Sequence, residues 1–165
     1  MGEEVVFIGI GSNQGDRIKN VKEALKKIEQ KFKLLKASSL YLSQPVGMKR
    51  GTPWFINCVV EVKTKEKPEE ILSFLEEVEK EMGRETKGRA FPRPIDLDLL
   101  LYGEKVIEKP PLTIPHPRMH KRRFVLLPLV EIEEEAYHPS LRKTARELLM
   151  ELEDEWIVEK LEEEE

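Results

Sequence analysis

RPIDLDLLLYG, residues 93–103, alternates like a buried strand yet places two carboxylates where such a strand carries apolar side chains. With a side-chain period of two, Asp96 and Asp98 share one face with Leu100 and Tyr102, while Ile95, Leu97, Leu99 and Leu101 fill the other. The two acids therefore point the same way. Neighbouring ionised carboxylates repel and resist desolvation, so the pair is stable when a cation lies between them or one carboxylate takes a proton. Which of these applies depends on what surrounds the strand.

Working outward, the flanks are basic: Arg84, Lys87, Arg89 and Arg93 precede the pair, and His116, Arg118, Lys121, Arg122 and Arg123 follow it. Residues 84–123 hold ten Lys/Arg against five Asp/Glu, although the whole chain has a net charge of -4. A basic segment inside an acidic chain implies a locally held anion rather than a nucleic-acid coat, which would spread basic residues more widely. Two hard carboxylates suit Mg²⁺, which keeps several waters and takes the rest of its shell from substrate phosphates. Guanidinium groups match phosphate oxygens in paired hydrogen bonds. Metal and arginines together point to a polyphosphate; the competing reading is a structural network in which acids and arginines merely pair.

The chain has 165 residues, the size of one domain, and a single domain spanning 1–165 is expected. No apolar run approaches the ~20 residues of a membrane span and the start lacks a secretory pattern, so a cytoplasmic protein without membrane contact is expected. Cys58, the single cysteine, excludes an internal disulfide and reads as a small buried hydrophobe. Charged residues make up 36% of the chain, a surface chemistry that resembles heat-adapted proteins and carries no functional information.

Val5–Ile10 reads as a strand, followed by a helix whose apolar positions are Ile18, Val21, Leu25, Ile28 and Phe32. Gly9, Gly11 and Gly15 between them have the spacing GxGxxxG, which reads as a tight turn rather than a dinucleotide site. A second strand is expected at 35–42, then a long loop, QPVGMKRGTP. In the strand 55–62, Ile56, Cys58, Val60 and Val62 face the core and Phe55, Asn57, Val59 and Glu61 face away. Pro68, Glu69 and Glu70 open a helix with the stripe Ile71, Leu75, Val78 and Met82, stopped by Gly83.

The order β, α, β, β, α, β predicts an α+β fold with a ferredoxin-like βαββαβ core: a mainly antiparallel sheet with its helices on one face. An irregular helical C-terminal extension follows, with a helix near 123–134, a last helix capped by Thr144 with Glu147, and a solvated acidic tail over 151–165. In this sheet Phe55, Asn57, Asp96 and Asp98 share the open face. Phe55 and Phe124, with the Asn57 amide, are candidates to hold a flat heterocycle. His116 and His120, four apart, do not make a helical zinc pair because Pro115 and Pro117 bracket the first; His116 reads as a phosphate donor.

Five stretches, GSN (11–13), SSLYLSQPVG (38–47), FIN (55–57), PRPIDLDLLLYG (92–103) and LTIPHPRMHKRRFVLLPL (112–129), resemble the 6-hydroxymethyl-7,8-dihydropterin pyrophosphokinases of folate biosynthesis. The resemblance implies a monomer that moves diphosphate from ATP to the hydroxymethyl group of the reduced pterin and releases AMP. It also implies two Mg²⁺ ions at Asp96 and Asp98, with Arg84 and Arg93 beside them in catalysis. Glu76, Glu79, Arg84, Arg93, Leu99, Leu112, Thr113, His116 and Arg122 match the family's ATP-facing positions, and Ser43, Val46, Phe55, Asn57 and Phe124 its pterin pocket. One departure stands out: Ala90, Phe91, Pro92 and Arg93 occupy a segment in which relatives carry an aromatic residue, Gly, Pro and Arg. The alternative is a non-catalytic nucleotide- or RNA-binding module, against which the acidic pair speaks because it would repel RNA phosphates.

Overall fold

A computed structural model describes residues 2–45, 47–83, 93–154 and 156–162. In chain order its elements are β1 (Glu4–Ser12), α1 (Arg17–Lys31), β2 (Lys33–Ala37), β3 (Tyr41–Ser43), β4 (Phe55–Thr64), α2 (Pro68–Glu81) and β5 (Asp96–Tyr102). Then come β6 (Ile107–Lys109), β7 (Leu112–Ile114), a 3-10 turn at Met119–Lys121, α3 (Arg123–Glu133), β8 (Tyr137–His138), β9 (Lys143–Thr144), α4 (Ala145–Glu151) and β10 (Val158–Lys160).

β1 is central, antiparallel to β4 on one side and to β5 on the other. β2 and β3 lie end to end along the far edge of β4, where one strand over 35–42 is expected. The split falls at Ser38, whose N–H donates to Val59 O and whose hydroxyl accepts the Val59 N–H, so a side chain replaces one rung of the ladder.

One face of the sheet packs against α1 and α2. Ile8, Ile10, Ile56, Val60, Val62 and Leu97 meet Val21, Ala24 and Ile28 of α1 and Ile71, Leu75 and Val78 of α2, all of them buried. The α2 signals act as read, Pro68 opening the helix with Glu69 and Glu70 behind it and Gly83 following with φ +90°; in α1 the stripe holds except for Ile18, which is exposed, and the Asp16 side chain caps the helix by accepting the Lys19 N–H. Cys58 is buried in this layer, and burial, with the Glu131 charge, pushes its thiol up to about 12.

Helices on one face alone is a partial description. α3 covers the opposite face, with Val125 and Leu129 against Phe7, Val59, Leu100 and Leu101. Leu100 and Leu101 both belong to this second cluster, whereas Tyr102 returns to the first. The expected alternation fails there because the register with β1 slips between Phe7 and Ile8, a bulge that opposes Phe7 to Leu101 and Ile8 to Leu99. Asp96 and Asp98 precede the bulge, so their shared face is preserved.

Part of the acidic tail, Val158–Lys160, is a strand rather than a solvated end. After α4, β10 pairs with β3 and extends the sheet. The Thr144–Glu147 capping box of α4 is present as read. Among the described residues no helix is long and apolar enough to cross a membrane.

His120 in the 3-10 turn before α3 and His138 in β8 form a pair whose ring centroids are 6.0 Å apart. His138 is 5% exposed, and its Nδ1 accepts the Leu141 N–H. Burial holds both rings below the ordinary 6.5, the neighbouring charge of His120 adding to the effect at His138 and that of Lys121 at His120. The unfolded chain therefore binds more protons, so stability is complete above pH 6.5 and declines as the pH falls toward the lowered folded values. Thermal unfolding between pH 7.5 and 5.5 should show this decline, and His138→Asn, which keeps an acceptor and removes one of the two titrations, should make it shallower.

Candidate functional site

The open half of the second sheet face, beyond the end of α3, is a cleft of about 540 Å³. Its floor is β1, which carries Gly9 and Gly11 there. These residues are not in a turn, as their spacing suggests; they are mid-strand, and of the three glycines only Gly15 has a left-handed conformation, with φ +73°. Gly11 is registered with Asn57 of β4 and Asp96 of β5, and Gly9 with Val59 and Asp98. A bare strand thus runs between two strands whose side chains stand up on either side.

On the β5 side, Asp96 and Asp98 have side chains 20% and 18% exposed. Arg93 Nη1 lies 3.5 Å from Asp96 Oδ2, and His116 Nε2 lies 3.8 Å from Asp98 Oδ1. The Arg118 N–H donates to His116 Nδ1, so the ring proton of the neutral imidazole is on Nε2, toward Asp98. His116 is held in place by its own N–H, which donates to Leu100 O at the bulge.

On the β4 side, Phe55 and Asn57 line the cleft with Phe124 at the start of α3. The Ser43 hydroxyl donates to Asn57 Oδ1 and fixes the amide orientation. Each aromatic ring has a guanidinium over it: Arg93 is 6.0 Å from the Phe55 centroid and Arg122 is 5.4 Å from that of Phe124. Arg93, which also approaches Asp96, therefore stands where the aromatic end of the cleft meets the acidic end.

Several expected residues contribute otherwise. Leu99 and Leu112 are buried in the core beneath α1 and α2, on the face opposite the acids. Glu79 is buried and accepts the Leu97 N–H at 2.8 Å, fixing the backbone between Asp96 and Asp98. Glu76 lies half-buried on α2 and Thr113 half-buried on β7. Val46, Arg84, Lys87, Arg89, Ala90, Phe91 and Pro92 lie outside the described residues.

Two contributors were not legible from spacing. Asn13, fully buried, accepts the Arg93 N–H at 2.7 Å, donates its own N–H to Arg93 O at 3.1 Å and reaches Pro53 O at 3.2 Å through its amide. It ties the end of the loop after β3 to the residue that leads into β5. Its only signal is the GSN stretch of the resemblance. The other is the C-terminal segment, which brings Asp154, Trp156 and Val158 to the cleft wall.

A bare strand between a carboxylate pair and an amide with aromatic rings, bridged by arginines, makes a site for an anionic ligand beside a flat polar one. The chain belongs to the 7,8-dihydro-6-hydroxymethylpterin-pyrophosphokinase (HPPK) family, whose model matches residues 7–134. It is 41% identical over 142 residues, 86% of this chain and 88% of the other, to the 2-amino-4-hydroxy-6-hydroxymethyldihydropteridine pyrophosphokinase of Aquifex aeolicus. It is 46% identical over 131 residues to a folate synthesis bifunctional protein of Arabidopsis thaliana, covering 78% of this chain and 27% of that protein. In fold it is similar to an HPPK-DHPS crystallised in complex with substrates, with a TM-score of 0.71 at 14% identity, over 91% of this chain and 43% of that one. The chain thus spans less than half of that larger protein.

The glycine floor makes a stability prediction. A Cβ on Gly11 would stand 2.8 Å from Asn57 Nδ2, whereas one on Gly9 would meet Leu100 at an ordinary 3.6 Å. Gly11→Ala should therefore cost about 1–3 kcal/mol by overpacking. Gly9→Ala should be neutral or stabilise by roughly 0.5–1 kcal/mol, since glycine is unfavourable within a strand. Denaturant titration of the two variants checks the contrast.

Proposed function

We infer that this chain transfers diphosphate from ATP to the hydroxymethyl group of 6-hydroxymethyl-7,8-dihydropterin, giving AMP and the pterin diphosphate, a step of folate synthesis. The observation that carries this reading, beside family membership, is that the Asp96–Asp98 pair and the Phe55–Asn57 pair line one cleft across Gly9 and Gly11. In the reaction the pterin alcohol oxygen forms a bond to the β-phosphorus, and the bond from that phosphorus to the oxygen bridging it to the α-phosphate breaks. AMP leaves with the bridging oxygen, and the alcohol proton passes to solvent.

The residues fit magnesium: two hard carboxylates on one face, beside an uncrowded floor, leave most of a cation's shell to water and phosphate oxygens. Asp96 and Asp98 would hold two Mg²⁺ ions, which supply charge neutralisation of the triphosphate when bound. Around them, the chain's own work is orientation and electrostatics. Ser43 and Asn57 set the amide that reads the pterin edge, and Phe55 and Phe124 hold its faces; Val46, outside the described residues, is assigned to the same pocket by family resemblance. Arg93 and Arg122, each anchored over one of those rings, meet the negative charge that develops on the transferring group, with Arg84 as a third cation. His116 donates Nε2–H toward phosphate. Glu76 and Thr113 complete the nucleotide side, Leu99 and Leu112 support it from the core beneath α1 and α2, and Glu79 acts through the Leu97 backbone that separates the two acids.

The core is assigned to the ferredoxin-like class. This is supported by the strand order β5-β1-β4-β2, with all pairs antiparallel and with α1 and α2 packed on one face. The reading takes the chain as one domain and a cytoplasmic monomer that binds no nucleic acid, expectations that sedimentation and an RNA titration test.

Incubation with ATP, Mg²⁺ and the reduced pterin alcohol should yield AMP one-for-one with pterin diphosphate. ADP or free diphosphate in its place would mean a hydrolase or a simple kinase. Asp96→Ala and Asp98→Ala should each lower kcat by at least about 10²–10³, with circular dichroism and unfolding temperature close to wild type. Wild-type turnover in either variant would contradict the role given to the pair.

A further inference from the structure

Residues beyond α4 lie outside the stretch matched by the family model, 7–134, yet they reach the cleft. Val158 is registered with Ser43, and Ser43 with Phe55, so the three stand in one row across the sheet and share its open face. Trp156, two residues earlier, continues that face and lines the cleft, with 42% of its surface exposed. The chain is fastened on both sides of it. Ile157 O accepts the Gln44 N–H at 3.0 Å and its N–H donates to Gln44 Oε1 at 3.2 Å, while the Leu161 N–H donates to Leu40 O at 2.8 Å.

A second fastening is electrostatic. Arg123 opens α3, a helix with no acid in its first turn and no side-chain cap, where a cation opposes the helix dipole. Its Nε donates to Asp154 Oδ1 at 3.0 Å and its Nη2 to Leu152 O at 3.5 Å. The Asp154 side chain is 13% exposed, and its Oδ2 has no hydrogen-bond partner among the described residues. A carboxylate so placed depends on its arginine. Of Arg118, Lys121, Arg122 and Arg123, all lining the cleft, only Arg123 has an acidic partner among the described residues. The basic run is thus divided: Arg123 is committed to the C-terminal segment, and the others line the cleft with no acidic partner among the described residues.

We propose that the C-terminal strap carrying Asp154, Trp156 and Val158 is the outer wall of the heterocycle half of the cleft. In it Trp156 contacts the bound flat ring, and the Arg123–Asp154 pair is the latch that positions it. The proposal rests on the pterin reading above. Trp156 lies beside Ser43 and Gln44, on the side of the cleft away from Asp96 and Asp98, so its contact is with the pterin and not with the nucleotide phosphates.

Trp156→Ala should raise KM for the reduced pterin about three- to tenfold, the size of a lost aromatic contact, and leave KM for ATP unchanged; Trp156→Phe should restore most of it. Should the alanine variant unfold, Trp156→Leu, apolar but without a π face, carries the same expectation. Arg123→Ala should raise the same KM in the wild-type background and add less than about twofold in the Trp156→Ala background, because the latch acts through the wall. An unchanged pterin KM in Trp156→Ala, or a loss that falls on ATP, overturns the wall; a full Arg123 effect without Trp156 overturns the latch. Calorimetric binding of 6-hydroxymethylpterin to the full chain and to Trp156→Ala reads the contact without turnover. A wild-type chain that binds pterin but forms no AMP would fail the proposed activity while leaving this test intact.

Discussion

A central strand stripped of side chains between two strands that bear them is the constraint on which the site depends. With Gly9 and Gly11 in β1, the face above is open, and Asp96 and Asp98 on one flank stand across a gap from Phe55 and Asn57 on the other. A larger residue at Gly11 would drive into the Asn57 amide. The acids gain tolerance from the same opening. They remain partly exposed, with Arg93 and His116 at 3.5 and 3.8 Å, where opposite charge moderates their mutual repulsion.

The sheet can hold such an opening because its other surfaces are well covered. α1 and α2 seal one face, and α3 seals the far part of the second. α3 is joined to the edge of the sheet by Glu131, which accepts from the Tyr41 hydroxyl at 2.6 Å and from the Ser39 hydroxyl at 2.8 Å. Burial pushes the Glu131 carboxyl up, but these hydrogen bonds outweigh it and hold the group below the usual carboxylate range. The same bonds make Tyr41 a poorer acid, along with its burial. Asn13 performs the corresponding task at the mouth of the cleft, where backbone from two loops meets one buried amide. Rigid elements therefore fix both ends of the segments around the ligand site.

Family membership and the cleft geometry agree, while the C-terminal strap belongs to this chain's own reading. Relatives include proteins in which the matched region is about a quarter of a bifunctional chain. Here the residues that follow the matched region turn back to become β10 and the outer rim of the cleft. A strand added at a sheet edge both covers unpaired backbone and offers a new wall.

Much was legible in the sequence because it is local. Period two placed Asp96 and Asp98 together and separated Ile56, Cys58, Val60 and Val62 from Phe55 and Asn57; caps and stripes placed α1, α2 and α4. What failed was set by partners distant along the chain. The bulge that sends Leu101 to the α3 side and Tyr102 to the other arises from the register against Phe7 and Ile8, which no local period encodes. Gly9 and Gly11 resemble a turn until neighbours on both sides show them to be a floor. The acidic tail has the composition of a solvated end, yet within it Val158–Lys160 pairs with β3 and Asp154 is held by Arg123. Residue order settles which side chains share a face within a regular stretch of strand, since covalent geometry fixes that alternation until a bulge interrupts it. Which faces meet across the cleft, and where the alternation breaks, follows from strand register and packing between residues far apart in the chain.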